Sequence, residues 1–160
     1  MATSAPNYSK KYHVQTLIAA VVAAIAATIS AYLSVAPWIM FIGWVVYFTK
    51  SGSLSNTLTS TVCACLGILI GMAAANSIGV LAPSLGVVAF AVVVFVVASI
   101  VITLRGISVI NNIPAWFLGM ITYFAAHPEP SVLSILSLIL TVVFGVFAGY
   151  FAHQMQIKVG

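Results

Sequence analysis

The chain has 160 residues, 63% of them hydrophobic and only 4% charged, with a mean hydropathy of +1.24. Soluble domains carry roughly 25% charged residues, and five Lys/Arg with one Asp/Glu cannot cover a water-facing surface. The composition excludes a soluble domain, and basic residues placed singly at segment ends make neither a nucleic-acid stripe nor a phosphate loop, so no nucleic-acid partner is expected.

Residues 1–13 read as a polar tail that ends in Lys10, Lys11 and His13. The first apolar segment covers 14–35 and is rich in Ala, which lets helices approach closely. No credible cleavage site follows it, so it is read as a retained helix. Pro37 then opens a short second segment, 38–49, in the run APWIMFIGWVVYFTK. Lys50–Ser53 is a turn, and the third segment covers 54–78. Ala82-Pro83-Ser84 predicts the next turn, with Pro83 opening a fourth segment over 85–104. That segment is the most uniformly apolar and the best candidate for broad lipid contact. Its β-branched content would suggest strand in water, but its length in lipid argues helix. A polar loop leads from Arg105 to Pro114 and a second short segment, 115–126. His127-Pro-Glu-Pro is a turn, the sixth segment covers 131–153, and 154–160 form a short tail.

The two short segments resemble each other. Laying Gly43 on Gly119 puts Phe41 on Phe117, Tyr47 on Tyr123 and Phe48 on Phe124 without gaps. The third and sixth segments also pair. Laying Ser53 on Ser131 puts Asn56 on Ser134, Thr59 on Ser137, Cys63 on Thr141, Gly67 on Gly145 and Gly71 on Gly149. Those positions fall on one helix face, a stripe of small and polar residues that ends in GxxxG. The first and fourth segments match only in length and apolar character.

Two topologies are open. If the short segments are re-entrant, four spans result; if they cross, six. With six spans Lys10, Lys11, Lys50, Arg105 and Lys158 share one side and Glu129 lies on the other, as the positive-inside rule predicts. Six is preferred, with both termini cytoplasmic. Because each copy has three spans, the second starts from the opposite side. The expected fold is all-α: a polytopic membrane protein of six transmembrane helices, built as two inverted three-helix repeats over about 14–80 and 83–153.

The residues then limit the chemistry. No carboxylate, Lys or Arg lies mid-span, which argues against a proton-coupled antiporter or a voltage sensor. His13, His127 and His153 sit near segment ends, as solvated side chains or, for His127 and His153, as pH-sensing gates. Cys63 and Cys65 point in different directions on a helix and read as inert core. No catalytic constellation, metal cluster or cofactor motif occurs, so no enzyme, metal or cofactor is expected. A short segment of 12 residues spans roughly 18 Å against a hydrocarbon core of roughly 30 Å, so it needs shelter from other helices.

The pair of short helices is read as facing each other across a narrow path. Phe41, Trp44, Tyr47, Phe48, Phe117, Met120, Tyr123 and Phe124 would line it, and Trp38 and Trp116 would sit in the interfacial belt. Asn56, Thr59, Asn76, Asn111, Asn112, Ser134 and Ser137 are the polar path or gate candidates, although the asparagines also suit turns and helix ends. Gly67, Gly71, Gly145 and Gly149 would pack helices, and Gly43 and Gly119 would mark the closest approach of the two short helices.

The APW, GW…YF and PAWFLG run-ins, the length and the multi-span layout resemble the YcdZ-like family of small bacterial inner-membrane proteins. That resemblance implies a multi-pass fold in the bacterial inner membrane and assigns no activity. Urea and ammonia channels are similar only in having an aromatic path without charges; none of their motifs occurs here. The function expected is a passive channel or facilitator for a small neutral or weakly ionisable solute, of the urea, ammonia, short amide or alcohol class. The expected partners are the lipid bilayer, that solute and further copies in a homo-oligomer. A secondary transporter and a structural subunit of a membrane complex are the alternatives.

Overall fold

A computed structural model describes residues 10–159 as six α-helices joined by short links. Residues 1–9 of the expected tail, and Gly160, lie outside the described residues. The helices are α1 (Lys10–Tyr32), α2 (Pro37–Phe48), α3 (Leu54–Leu85), α4 (Val88–Thr103), α5 (Ile113–Ala126) and α6 (Val132–Val159). Two short 3-10 turns, Leu104–Gly106 and Ser108–Ile110, link α4 to α5. Counting the first of those turns with α4, four helices are long and apolar enough to cross a membrane, as in a multi-pass membrane protein. The remaining two, α2 and α5, are shorter apolar helices.

Three boundaries differ from the sequence reading. The helix α1 begins at Lys10, inside the expected tail, and α6 runs on to Val159 through the expected C-terminal tail. The third difference is the α3–α4 turn. Pro83 lies inside α3, and the chain turns instead at Gly86–Val87. Proline there removes only one helix hydrogen bond, close to the helix end. Gly86, at φ 55°, can take the backbone conformation that closes the helix, and its N–H bonds to the Ala82 carbonyl at 2.9 Å.

Capping sets the other ends. Pro37 and Pro114 stand in the first turns of α2 and α5. Ser53 accepts a hydrogen bond from the Asn56 N–H at 3.1 Å, and Ser131 accepts from the Ser134 N–H at the same distance. His127 closes α5 in the left-handed region, at φ 44°.

The packing gives each helix a direction. Gln15 and Gln156 exchange hydrogen bonds, each side-chain amide donating to the other's backbone carbonyl at 3.2 and 2.9 Å, so α1 and α6 are antiparallel. Met40 lies by Gly145 and Tyr47 by Gly149, so α2 runs parallel to α6. Trp116 lies by Gly67 and Tyr123 by Gly71, so α5 runs parallel to α3. The short helix of each half thus packs on the last helix of the other half. The α2 helix starts next to the end of α1 and finishes next to His153, near the start of α1. It therefore runs beside α6 from the level of Val142 to that of His153. The two ends of the bundle are named below by Lys50 and by Glu129.

Candidate functional site

Two regions of the bundle carry polar groups, and each is built from helix ends. At the Lys50 end, α2 has finished and α5 has not begun, so backbone groups there lack helix partners. Side chains supply them. The Asn112 amide is buried and donates to Thr49 Oγ1 at 2.6 Å and to Ser60 Oγ at 2.7 Å, while its Oδ1 accepts weakly from the Ala115 N–H at 3.4 Å. The Trp116 indole N–H donates to the Ile110 carbonyl at 2.9 Å. Lys50 Nζ donates to Asn111 Oδ1 at 2.9 Å. Helix-end backbone needs partners where water is excluded, and the Ala115 N–H and the Ile110 carbonyl find theirs in this network. In the superposed positions of the other half the residues are Ala36, Ala125 and Leu138 for Asn112, Thr49 and Ser60. Among the described residues the network has no counterpart at the Glu129 end.

Between α2 and α6, at the same end, the fully buried Tyr47 hydrogen-bonds through its hydroxyl to His153 Nδ1. Its ring packs on Tyr150 with centroids 6.0 Å apart. The α2–α6 contact is thus filled with aromatic side chains at the Lys50 end. At the Glu129 end the seam between α3 and α6, where α5 brings Tyr123, holds a cleft of about 440 Å³ beside Leu69, Met72, Asn76, Tyr123, Ile135 and Ile139.

The glycine stripe is the contact between halves. A Cβ on Gly43 would overlap the Val142 carbonyl, and one on Gly119 would overlap the Ala64 carbonyl, its counterpart. Gly145 faces the Met40 carbonyl as Gly67 faces that of Trp116. Gly149 would meet the Tyr47 Cβ at 3.2 Å, and Gly71 the Tyr123 Cβ at 3.0 Å. The expectation that Gly43 and Gly119 mark the closest approach of α2 to α5 is therefore corrected. Each short helix uses its glycine against a long helix, because only the GxxxG face offers a matching groove.

The proposed aromatic lining separates in space. Phe41, Phe48, Phe117 and Phe124 are exposed on the outside of the bundle, and Trp44 is half-buried beside Phe48. Met120 is buried, and with Phe117 and Phe124 it borders an apolar groove between α3, α4 and α5. Of these eight, Tyr123 borders the α3–α6 cleft and Tyr47 is buried against α6. Trp116, read as a belt residue, is buried in the network.

The polar candidates divide similarly. Asn56 and Ser134 serve the helix caps of α3 and α6, and the Asn56 amide donates to the Ser51 carbonyl at 3.3 Å. Thr59 is buried in α3, and Ser137 borders a smaller cleft with Ser30 and Thr141. Asn111 and Asn112 belong to the Lys50-end network, and Asn76 to the Glu129-end cleft. Sequence reasoning missed Lys50, Thr49 and Ser60 as partners of Asn111 and Asn112, and His153 as the partner of Tyr47. Only a repeat comparison carried a hint, since the first three positions are apolar in the other half. Cys63 is buried and Cys65 half-buried, both unpaired.

No curated protein and no solved structure matches the chain. A family model does match, over residues 16–155, and its description is "Protein of unknown function (DUF1097)". That match covers all but the ends of the helical bundle, both polar regions included, and the chain belongs to the DUF1097 family.

Proposed function

We propose that this protein is a small-solute facilitator of the bacterial inner membrane, with six spans in two inverted three-helix repeats and both termini cytoplasmic. The solute would follow the α3–α6 seam, with Tyr123 at one mouth and Tyr47 at the other. The observation that carries this reading is the contrast between the mouths: Tyr123 borders a cleft of about 440 Å³, whereas Tyr47 is buried against His153 and Tyr150. Matching tyrosines in two different settings suit a gated path between inverted repeats. The paired glycine contacts and the course of α2 from the end of α1 to His153 support six crossings rather than four. A finer placement in the YcdZ-like group and a homo-oligomeric state go with this reading. The broad apolar exposure of α1 and α4 suits lipid or a second copy.

The seam residues named here are uncharged apart from the ionisable His153, so the reading favours a neutral solute over a bare ion, which needs rings of carbonyls or charges. The test is solute-driven swelling of proteoliposomes with urea, acetamide, butyramide and glycerol. Downhill flux above empty liposomes, insensitive to imposed proton or sodium gradients, supports the facilitator. No flux for any of the four sinks it. A second reading, secondary transport, draws on the same contrast, because a seam closed at one end is also a state of alternating access. Flux that follows an ion gradient would select that reading.

A further inference from the structure

We propose that Asn76 and Tyr123 form a binding subsite for a small uncharged molecule with a short apolar body and an amide or alcohol head. This deepens the solute-path reading and rests on it for its physiological meaning. The argument starts from which polar groups are occupied. Among the described residues, the Asn56, Asn111 and Asn112 side chains all hydrogen-bond within the protein. Asn76 does not, and neither does the Tyr123 hydroxyl. Both border the same cleft.

The repeat shows what Tyr123 lacks. Its counterpart Tyr47 leans on Gly149 and reaches His153 one turn further along α6. Tyr123 leans on Gly71 in the same way, but the position matching His153 is Ala75. The next residue is Asn76. One half thus satisfies its tyrosine internally, while the other leaves a hydroxyl and an amide at the edge of an accessible cleft. Ser131, also at the cleft, is occupied, since it accepts from the Ser134 N–H and bonds the Ser134 hydroxyl at 2.9 Å. The two open groups together offer donors and acceptors, which fits an amide or hydroxyl head.

The walls set the rest of the ligand. Leu69, Met72, Ile135 and Ile139 are apolar, and no charged side chain borders the cleft. A volume of about 440 Å³ falls in the range of roughly 300–1,000 Å³ usual for small-molecule sites, with few polar groups fixing orientation. Such a site prefers butyramide to urea, because the added methylenes leave water for the apolar wall.

The experiment is ligand-observed saturation-transfer NMR on the full chain in nanodiscs, with acetamide, butyramide and urea as probes and empty nanodiscs as the blank. Affinity should rise about two- to fourfold per methylene from acetamide to butyramide. Tyr123→Phe and Asn76→Ala should each weaken butyramide roughly tenfold. Tyr32→Phe, at an exposed α1 tyrosine that does not border the cleft, should leave binding unchanged. Thermal melts check that each variant is folded. Absence of butyramide binding above the blank, or binding by Tyr123→Phe and Asn76→Ala as tight as by the unaltered protein, overturns the subsite. Swelling measurements on the same proteins separate this from the path. Butyramide binding without flux keeps the subsite and removes the path. Flux in the unaltered protein, with butyramide binding that neither variant weakens, keeps the path and removes the subsite.

Discussion

Gly145 on α6 lies against the Met40 carbonyl on α2 so closely that no Cβ fits between the two helices. Gly67 and Trp116 repeat that contact between α3 and α5. In lipid, where burial of apolar surface gives no drive, such backbone approach is a main source of helix association. Gly145→Ala and Gly67→Ala should each destabilise the protein by about 1–2 kcal/mol, overpacking outweighing the gain in helix propensity. Gly79 faces open space, so Gly79→Ala should be neutral or stabilising by up to about 1 kcal/mol. Thermal unfolding in one detergent, with all three variants side by side, checks the ranking. Equal melting of Gly145→Ala and Gly79→Ala would contradict the close contact.

Asn112 is a different kind of joint. It belongs to the second half but donates both amide hydrogens to the first, and it also caps α5. Asn112→Ala should cost about 1–3 kcal/mol, because Thr49 and Ser60 lose their shared donor inside the bundle. Ala36→Asn, at the superposed position, places an amide where no such partners stand and should give no compensating gain. Melting temperatures of the single and double variants decide it.

The Tyr47–His153 bond holds the seam shut at the Lys50 end in the proposed path. Tyr47→Phe keeps the ring and removes the hydroxyl, which should lower stability by about 1 kcal/mol. Solute flux in proteoliposomes should rise in the same variant. Loss of stability without any change in flux would leave the pair a packing contact only.

Topology can be read from labelling. In a background with Cys63 and Cys65 replaced by Ala, single cysteines at Ser51, Ser108 and Ser131 are exposed to a membrane-impermeant maleimide. Six spans put Ser51 and Ser108 on one side and Ser131 on the other. Four spans with re-entrant short helices put all three on one side. Vesicles of known orientation distinguish the two patterns.

Much of the architecture was legible in the chain because the membrane simplifies the problem. Backbone groups must be satisfied within helices, so apolar length alone located α1, α3, α4 and α6. Proline at the start marked α2 and α5. The turn after α3 was misplaced because Pro83 is the stronger punctuation in water, yet Gly86 supplies the backbone conformation that stops the helix. The glycine stripe was legible as a packing face, but not the partner it packs on. Eight aromatic-path positions looked alike in sequence, and spacing within a 12-residue helix cannot say which of its faces meets protein and which meets lipid.

The sequence by itself determined the solvent this protein lives in, the number of helices and the correspondence between its halves. Charge scarcity, apolar length and repeated glycines are local properties, readable without a partner in view. Only the tertiary structure decided that each short helix crosses over to the other half, because that choice rests on carbonyls and glycines distant in sequence. The tertiary structure also decided that Tyr47 is satisfied and Tyr123 is not. His153 stands where the other half has Ala75, and the difference acquires meaning only when parallel helices bring each tyrosine to that position.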